Sequence, residues 1–418
     1  MRSGLLPRVF SVVLRVGVLI AKFLLIIALA NYFEPKDVGM YGLFVGTIGY
    51  FVFAVGFDFY VYSNRELIST AKERWRGMLR DQAVFYLFSY AALIPFLVGL
   101  FYFEILPMAY TAWFIVILVV EHLTQETTRL AVAISRPLLS SVISFVRAGI
   151  WVIALVVWMF FFPEFRTLDV LLGFWLVGGL LAVLLSLSVV LSLDKTKSLA
   201  SINWPWIKLG VKVAFPFFLG TMALHGIFVF DRYAVKFISN LEVLGAYVLF
   251  LGISNALMSF LSAGVFIFYY PKMIEAYKEK SADVFFSALR SMSIQVLVFS
   301  GVFSLVVMIC IDPLLSKVGK PVYMEYSYIL PWLLLAFSLQ AISMLPHYAL
   351  YAAKNDKPLI ASQFISLFLF LAFVVSAAAL GIDGLAVPIS LVLVFAFMLF
   401  WKFYYYLKYR KAWFHARG

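Results

Sequence analysis

The sequence predicts an all-α polytopic membrane protein, with about twelve transmembrane helices in two six-helix lobes related by a pseudo-two-fold axis along the membrane normal. Three observations lead there. Of 418 residues, 64% are hydrophobic and only 13% charged, whereas soluble domains sit near half apolar and a quarter charged. The mean hydropathy is +1.01. The apolar residues come in long continuous runs rather than the ~10-residue alternating segments of a membrane barrel. Together these exclude a soluble globular enzyme and a disordered chain.

The apolar runs place spans at about 9–32, 40–62, 83–102, 110–135, 138–162, 170–193, 210–238, 245–270, 291–311, 327–350, 359–380 and 385–407. All connections are short, so no extramembrane domain is expected. The Lys and Arg residues set the orientation. With the N-terminus inside, 23 of the 33 basic residues fall on the inner face and four, Lys36, Arg166, Lys317 and Lys320, on the outer. Both termini are expected in the cytoplasm. Ala28-Leu29-Ala30 is not read as a processing site, because Arg15 and Lys22 interrupt the apolar stretch before it. The single cysteine, Cys310, allows neither an internal disulfide nor a cysteine metal site.

The chain repeats itself at half its length. Gly39-Met40-Tyr41-Gly42-Leu43-Phe44-Val45-Gly46 is echoed by Gly245-Ala246-Tyr247-Val248-Leu249-Phe250-Leu251-Gly252, and Arg136-Pro137-Leu138-Leu139 by Lys357-Pro358-Leu359-Ile360. Two echoes in the same order point to a duplicated unit. Six helices per repeat is an even number, which gives both halves the same topology. The expected division is an N-lobe at 1–193, a cytoplasmic interfacial linker at 194–209 and a C-lobe at 210–418. Trp204-Pro205-Trp206 and nearby lysines suit the linker to a membrane surface.

Beyond the residues assigned to the two faces, six basic residues remain, within the predicted spans: Arg15, Lys22, Arg129, Arg147, Arg232 and Lys236. A cation at mid-bilayer costs roughly 2.5–3.5 kcal/mol on insertion scales, so most must face a wet interior, a partner or a snorkelling route. Arg15 and Lys22, seven apart, share one helical face. Arg147 belongs to a stripe with Ser140, Ser144 and Trp151. Span 4 carries two polar rows, Glu121/Gln125/Thr128 and His122/Glu126/Arg129. Span 7 carries His225, Asp231, Arg232 and Lys236, and Asp58 falls late in span 2. Bases outnumber acids in the spans by six to four. The functional reading is a cationic cavity for an anionic substrate, formed from Arg15, Lys22, Arg147, Arg129 and Arg232. The competing reading is internal pairing, Glu126 with Arg129 at i, i+3 and Asp231 across helices. Asp231, Glu126, Glu121 and Asp58 are the candidates for a coupling proton or sodium ion. His122 and His225 read as hydrogen-bonded structural groups, and the Phe403–Lys411 tail as an interfacial anchor.

Nucleotide-binding, zinc-protease, hydrolase and dinucleotide-binding motifs are not found, so no catalytic residue, metal or resident cofactor is expected. The net charge of +12 sits at the membrane edge and does not imply nucleic acid.

Ala30-Asn31-Tyr32-Phe33-Glu34-Pro35-Lys36-Asp37-Val38-Gly39-Met40-Tyr41 is similar to the stretch joining the first two spans in the polysaccharide-transporter family. Arg65-Glu66 after span 2, Phe215-Pro216-Phe217-Phe218 followed by Asp231-Arg232 in span 7, and Gly245-Ala246-Tyr247 are similar as well. These motifs resemble Wzx-type flippases of the multidrug/oligosaccharidyl-lipid/polysaccharide exporter superfamily. The resemblance implies translocation of undecaprenyl-pyrophosphate-linked oligosaccharide from the cytoplasmic to the outer leaflet by alternating access. It also implies cationic cavity residues for the pyrophosphate, a role that suits Arg15, Lys22 and Arg147. Asn31 departs from the pattern, since many members carry Arg there. Expected partners are the lipid-linked oligosaccharide, membrane lipids and a polysaccharide polymerase complex, with the chain itself a monomer. The rival readings are an ion-coupled multidrug exporter of the same superfamily and a membrane-embedded glycan polymerase or ligase.

Overall fold

The structure is a computed structural model that describes residues 5–193 and 201–414, with side chains from Phe10 onward. Every element among the described residues is helical: α1 (Leu5–Tyr32), α2 (Pro35–Gly56), α3 (Tyr60–Ser69), α4 (Trp75–Tyr102), α5 (Thr111–Ala133), α6 (Pro137–Phe145), α7 (Trp151–Phe161), α8 (Leu168–Leu191), α9 (Trp204–Ile238), α10 (Leu241–Leu261), α11 (Ile267–Lys278), α12 (Ala282–Val318), α13 (Pro321–Glu325), α14 (Ile329–Ala352), α15 (Lys357–Ala379) and α16 (Ala386–Arg410). Twelve helical stretches among them are long and apolar enough to cross a membrane. Two are built from paired elements: α6 and α7 run on through a π turn, Val146–Ile150, and α10 and α11 through another, Ser262–Phe266. The chain is a multi-pass membrane protein of all-α class.

The helices start where local chemistry allows it. Both members of the second echo mark helix starts: Pro137 opens α6, and Pro358 sits in the first turn of α15. Proline there removes only an N–H that has no partner in the helix. Asn240 caps α10, its side-chain oxygen accepting from the backbone N–H groups of Glu242 and Val243, both at 2.9 Å. Gly319 ends α12 at φ +69°, a left-handed conformation that glycine adopts without steric cost.

Some expected boundaries move. The cytoplasmic connection read between spans 8 and 9 is largely helix, because α11 runs to Lys278 and α12 starts at Ala282. With 37 residues, α12 is about 55 Å long and outreaches the hydrocarbon layer. Span 2 stops sooner than read. Phe57 and Asp58 take φ of 52° and 49°, so Asp58 lies in the turn after α2 rather than late in the helix. Of the linker, 194–200 lies outside the described residues, and 204–209 is already the first turns of α9.

The described residues divide into two compact units. One takes in Met1–Leu25 and Phe44–Met222, the other Ile26–Leu43 and Ala223–Gly418. In the first, a core of Leu67, Leu130, Ala131, Ile143, Ala182 and Val189 joins α3, α5, α6 and α8. In the second, Lys320 donates from Nζ to the carbonyls of Ala30, at 2.8 Å, and Phe33, placing a cation on the C-terminal end of α1. Burial lowers the pKa of this ammonium, while the nearby Glu34 and Asp37 carboxylates pull it back up.

Candidate functional site

The first unit brings the cationic stripe of α1 against the π turn between α6 and α7. The approach is close because α1 has a glycine there. A Cβ on Gly17 would lie 3.0 Å from the Phe145 ring. Arg15 then reaches α6, its Nε 3.4 Å from Ser141 Oγ. Two turns further on, Lys22 lies within electrostatic range of both Arg147 and Glu121, with its side chain exposed.

The π turn, Val146–Ile150, carries Arg147. Such turns insert a residue into the helical ladder and re-aim the side chains around it. The predicted stripe of Ser140, Ser144, Arg147 and Trp151 therefore passes through a break in helical period. Trp151 Nε1 donates to the Arg147 carbonyl at 2.8 Å. Its indole stacks on Trp175 of α8, with centroids 6.1 Å apart and planes at 9°. A Cβ on Gly178 of α8 would collide with Trp151. Small residues allow this kind of close helix approach in membranes.

Glu121 is the acid of the group. Its Oε1 accepts from Trp175 Nε1 at 2.8 Å, and its Oε2 lies 3.6 Å from Arg147 Nη1. The latter is an ion pair but too long for a hydrogen bond. Arg147 Nε and Nη1 are buried without a hydrogen-bond acceptor, and so is Gln125 Nε2, one turn along α5 from Glu121. Each buried donor left unmade costs about 1–3 kcal/mol. The group thus holds two cations, one carboxylate and three orphan N–H donors. Chemically it is ready for an acceptor-rich anion.

A second polar group forms where α5 meets α4 and α3. Glu126 Oε1 accepts from Arg129 Nη1 at 2.5 Å. Its Oε2 accepts from Tyr86 Oη at 2.5 Å and Gln82 Nε2 at 3.3 Å. The Arg129 guanidinium lies 3.8 Å from the centroid of the Tyr60 ring. Asp58 is buried nearby, within electrostatic range of Arg129 and hydrogen-bonding reach of Thr221. Arg129 and Glu126 thus satisfy each other, as the pairing alternative expects. His122 is fully buried, with Nδ1 3.0 Å from Tyr90 Oη and Nε2 unpartnered.

Arg232 and Asp231 belong to the second unit. Asp231 is fully buried and accepts from Tyr247 Oη at 2.8 Å and from the Arg232 backbone N–H at 2.6 Å. Arg232 Nη1 turns back to the Phe228 carbonyl and lies 3.6 Å from Asp231. Arg232 Nε is buried without a hydrogen-bond acceptor.

Of the five cations predicted to receive substrate, the structure therefore gathers Arg15, Lys22 and Arg147 along one side of the first unit. Arg129 is paired elsewhere in that unit, and Arg232 is paired in the other. Glu121 stands with the cations rather than apart from them. Sequence reasoning missed the residues that hold these charges in place: Trp175, Tyr86, Gln82 and Tyr90. It also counted Lys402 as an inner-face charge, whereas Lys402 is only 2% exposed inside α16 and in electrostatic range of His347. The apolar flanks Phe400, Trp401 and Phe403 were a signal for that burial.

No protein-family model matches the chain, and no curated protein matches it. Solved structures do. An inward-facing conformation of a multidrug resistance MATE family transporter of the MOP superfamily aligns with a TM-score of 0.73 at 11% identity, covering 96% of this chain and 99% of its own. A MATE structure in the bent conformation aligns at 0.63 with 12% identity, covering 97% of both chains. A mutant of a Vibrio cholerae MATE transporter aligns at 0.52 with 16% identity, covering 98% of this chain and 96% of its own. The likeness spans the whole chain and is one of fold. The class defined is a membrane protein with twelve span-length helices among the described residues, sharing its fold with these transporters.

Proposed function

We propose that the chain is a secondary transporter whose cargo is an amphipathic anion, undecaprenyl-pyrophosphate-linked oligosaccharide, moved from the cytoplasmic to the outer leaflet of a bacterial inner membrane by alternating access. The supporting observation is the group around Arg147. Two cations face one carboxylate, and the fully buried side-chain atoms left without a hydrogen-bond partner there, Arg147 Nε and Nη1 and Gln125 Nε2, are donors. A pyrophosphate offers only acceptors and negative charge, so it matches on both counts. The exposed Lys22 supplies a cation that a headgroup can reach. The short motifs shared with polysaccharide transporters point the same way.

A second reading has its own support. The solved structures of similar fold are multidrug transporters, and by that measure an ion-coupled exporter stands nearer than a glycan flippase. An exporter of organic cations would use carboxylates, here Glu126 and Asp231. Both are already occupied by hydrogen-bond donors and arginines.

Deleting the gene in its host separates the two. Accumulation of lipid-linked oligosaccharide on the cytoplasmic leaflet, with loss of surface polysaccharide, is the expected result. Normal surface glycan with new sensitivity to cationic drugs would move the assignment to the exporter.

A further inference from the structure

The first unit contains a separate cavity of about 350 Å³ among α4, α5 and α8. It runs along one face of α4, through Arg76, Leu79, Arg80, Ala83 and Tyr86 at helical spacing. Exposure varies along this line, and Ala83 is exposed. Arg76 is exposed, Arg80 intermediate and Tyr86 buried. The opposite wall is a face of α5, including His122, Glu126 and Leu130, and Val190 of α8 with Leu193 completes the enclosure. The cavity is therefore a slot with a cationic mouth, mostly apolar walls and a polar floor.

Two features of this slot are unused by the site described above. The first is its charge. Arg80 is held at the mouth by Asp81, at 2.5 Å, and by the Ser201 carbonyl, at 3.0 Å. Exposed Arg65, Lys72, Arg74 and Arg76 surround it in sequence. The second is the orphan nitrogen of His122, a fully buried residue that lines the floor. His122 Nδ1 lies 3.0 Å from the Tyr90 hydroxyl, and its Nε2 has no hydrogen-bond partner. Glu126, also on the floor, is neutralised by Arg129 and so does not repel an anion at the mouth.

We propose that this slot binds an anionic phospholipid, with its phosphate at Arg76 and Arg80 and an acyl chain along Leu79, Leu123, Leu130 and Val190. The chemistry is that of basic pockets between membrane helices, which select anionic headgroups. A free phosphate would leave the apolar walls unfilled, and a zwitterionic lipid would gain less from the basic mouth.

The test uses the full-length protein purified in detergent and stripped of lipid. Native mass spectrometry follows its titration with phosphatidylglycerol, with phosphatidylcholine of the same chains, and with inorganic phosphate. One phosphatidylglycerol is expected to be retained, on the order of tenfold more tightly than phosphatidylcholine. Ala83→Phe places a ring in the slot from an exposed position and should abolish that retention. Arg76→Gln changes only a surface charge and should narrow the preference for phosphatidylglycerol, which keeps the test intact if the filled variant does not fold. Equal retention of the two lipids by the unaltered protein would overturn the proposal. So would unchanged phosphatidylglycerol retention in a folded Ala83→Phe variant. Displacement of the lipid by inorganic phosphate at comparable concentration would reassign the slot to a simple ion.

Discussion

Gly39 of α2 and Gly245 of α10 meet at a helix crossing in the second unit. A Cβ on Gly39 would run into the Leu241 carbonyl and the Gly245 backbone nitrogen, and one on Gly245 into the Pro35 carbonyl. These are equivalent positions of the Gly-x-Tyr echo. The repeated motif thus has a physical reason: two glycines bring two backbones together where any side chain would separate them. Tyr247, two residues on, is fully buried and donates to Asp231.

Replacing either glycine should therefore destabilise the protein. Gly245→Ala meets backbone atoms that no rotamer change can move aside. Overpacking of this kind costs about 1–3 kcal/mol. Thermal unfolding in detergent should show a lower midpoint for Gly39→Ala and for Gly245→Ala. The double variant should cost less than their sum, because one helix separation relieves both clashes. Midpoints equal to that of the unaltered protein would mean the crossing is looser than described.

The Glu126 and Arg129 pair makes a different prediction. Both side chains are largely buried, at 12% and 19% exposure. Glu126→Gln leaves the guanidinium without its counter-charge, at a cost of about 3–5 kcal/mol for a fully buried pair and somewhat less here. Replacing both residues with Leu and Met should recover part of the loss, since the guanidinium is gone, while Asp58 loses its nearby cation and Tyr86 and Gln82 their acceptor. Midpoints of the single and paired variants check this. A double variant as unstable as Glu126→Gln would point to a role for the pair beyond mutual neutralisation.

Trp175→Phe isolates one hydrogen bond near the cationic group. It keeps most of the ring that stacks on Trp151 and removes only the donor to Glu121. A hydrogen bond to a charged acceptor contributes about 1.5–3 kcal/mol. The expected outcome is a loss of that order in stability. Trp175→Ala should cost more, through the lost stacking and area. Equal losses would show that the donor, and not the ring, carries the interaction.

The number and order of spans were legible in the sequence, because 20-residue apolar runs have few alternative structures. The company of Lys22 and Arg147 was legible in part. Depth in the span marked both as costly, but nothing in Phe145-Val146-Arg147-Ala148-Gly149 announced a π turn. Nor did Phe57-Asp58 announce a left-handed stop to α2, since neither residue is a glycine. The long α12 was read as a loop and a short span, because hydropathy detects the bilayer and not the helix that continues beyond it. Trp175, Tyr86 and Tyr90 carried no signal of their own among the many aromatic residues of the spans. Their hydrogen bonds depend on tertiary neighbours that no local pattern encodes.

The most direct test of the central claim is reconstituted transport. Purified protein in proteoliposomes would be assayed for movement of a pyrophosphate-linked lipid glycan and, separately, of a cationic dye. Lys22→Ala with Arg147→Ala should abolish glycan translocation while the protein still elutes as a folded species. Translocation at the unaltered rate by the double variant would contradict the assignment of the cationic group as the substrate site.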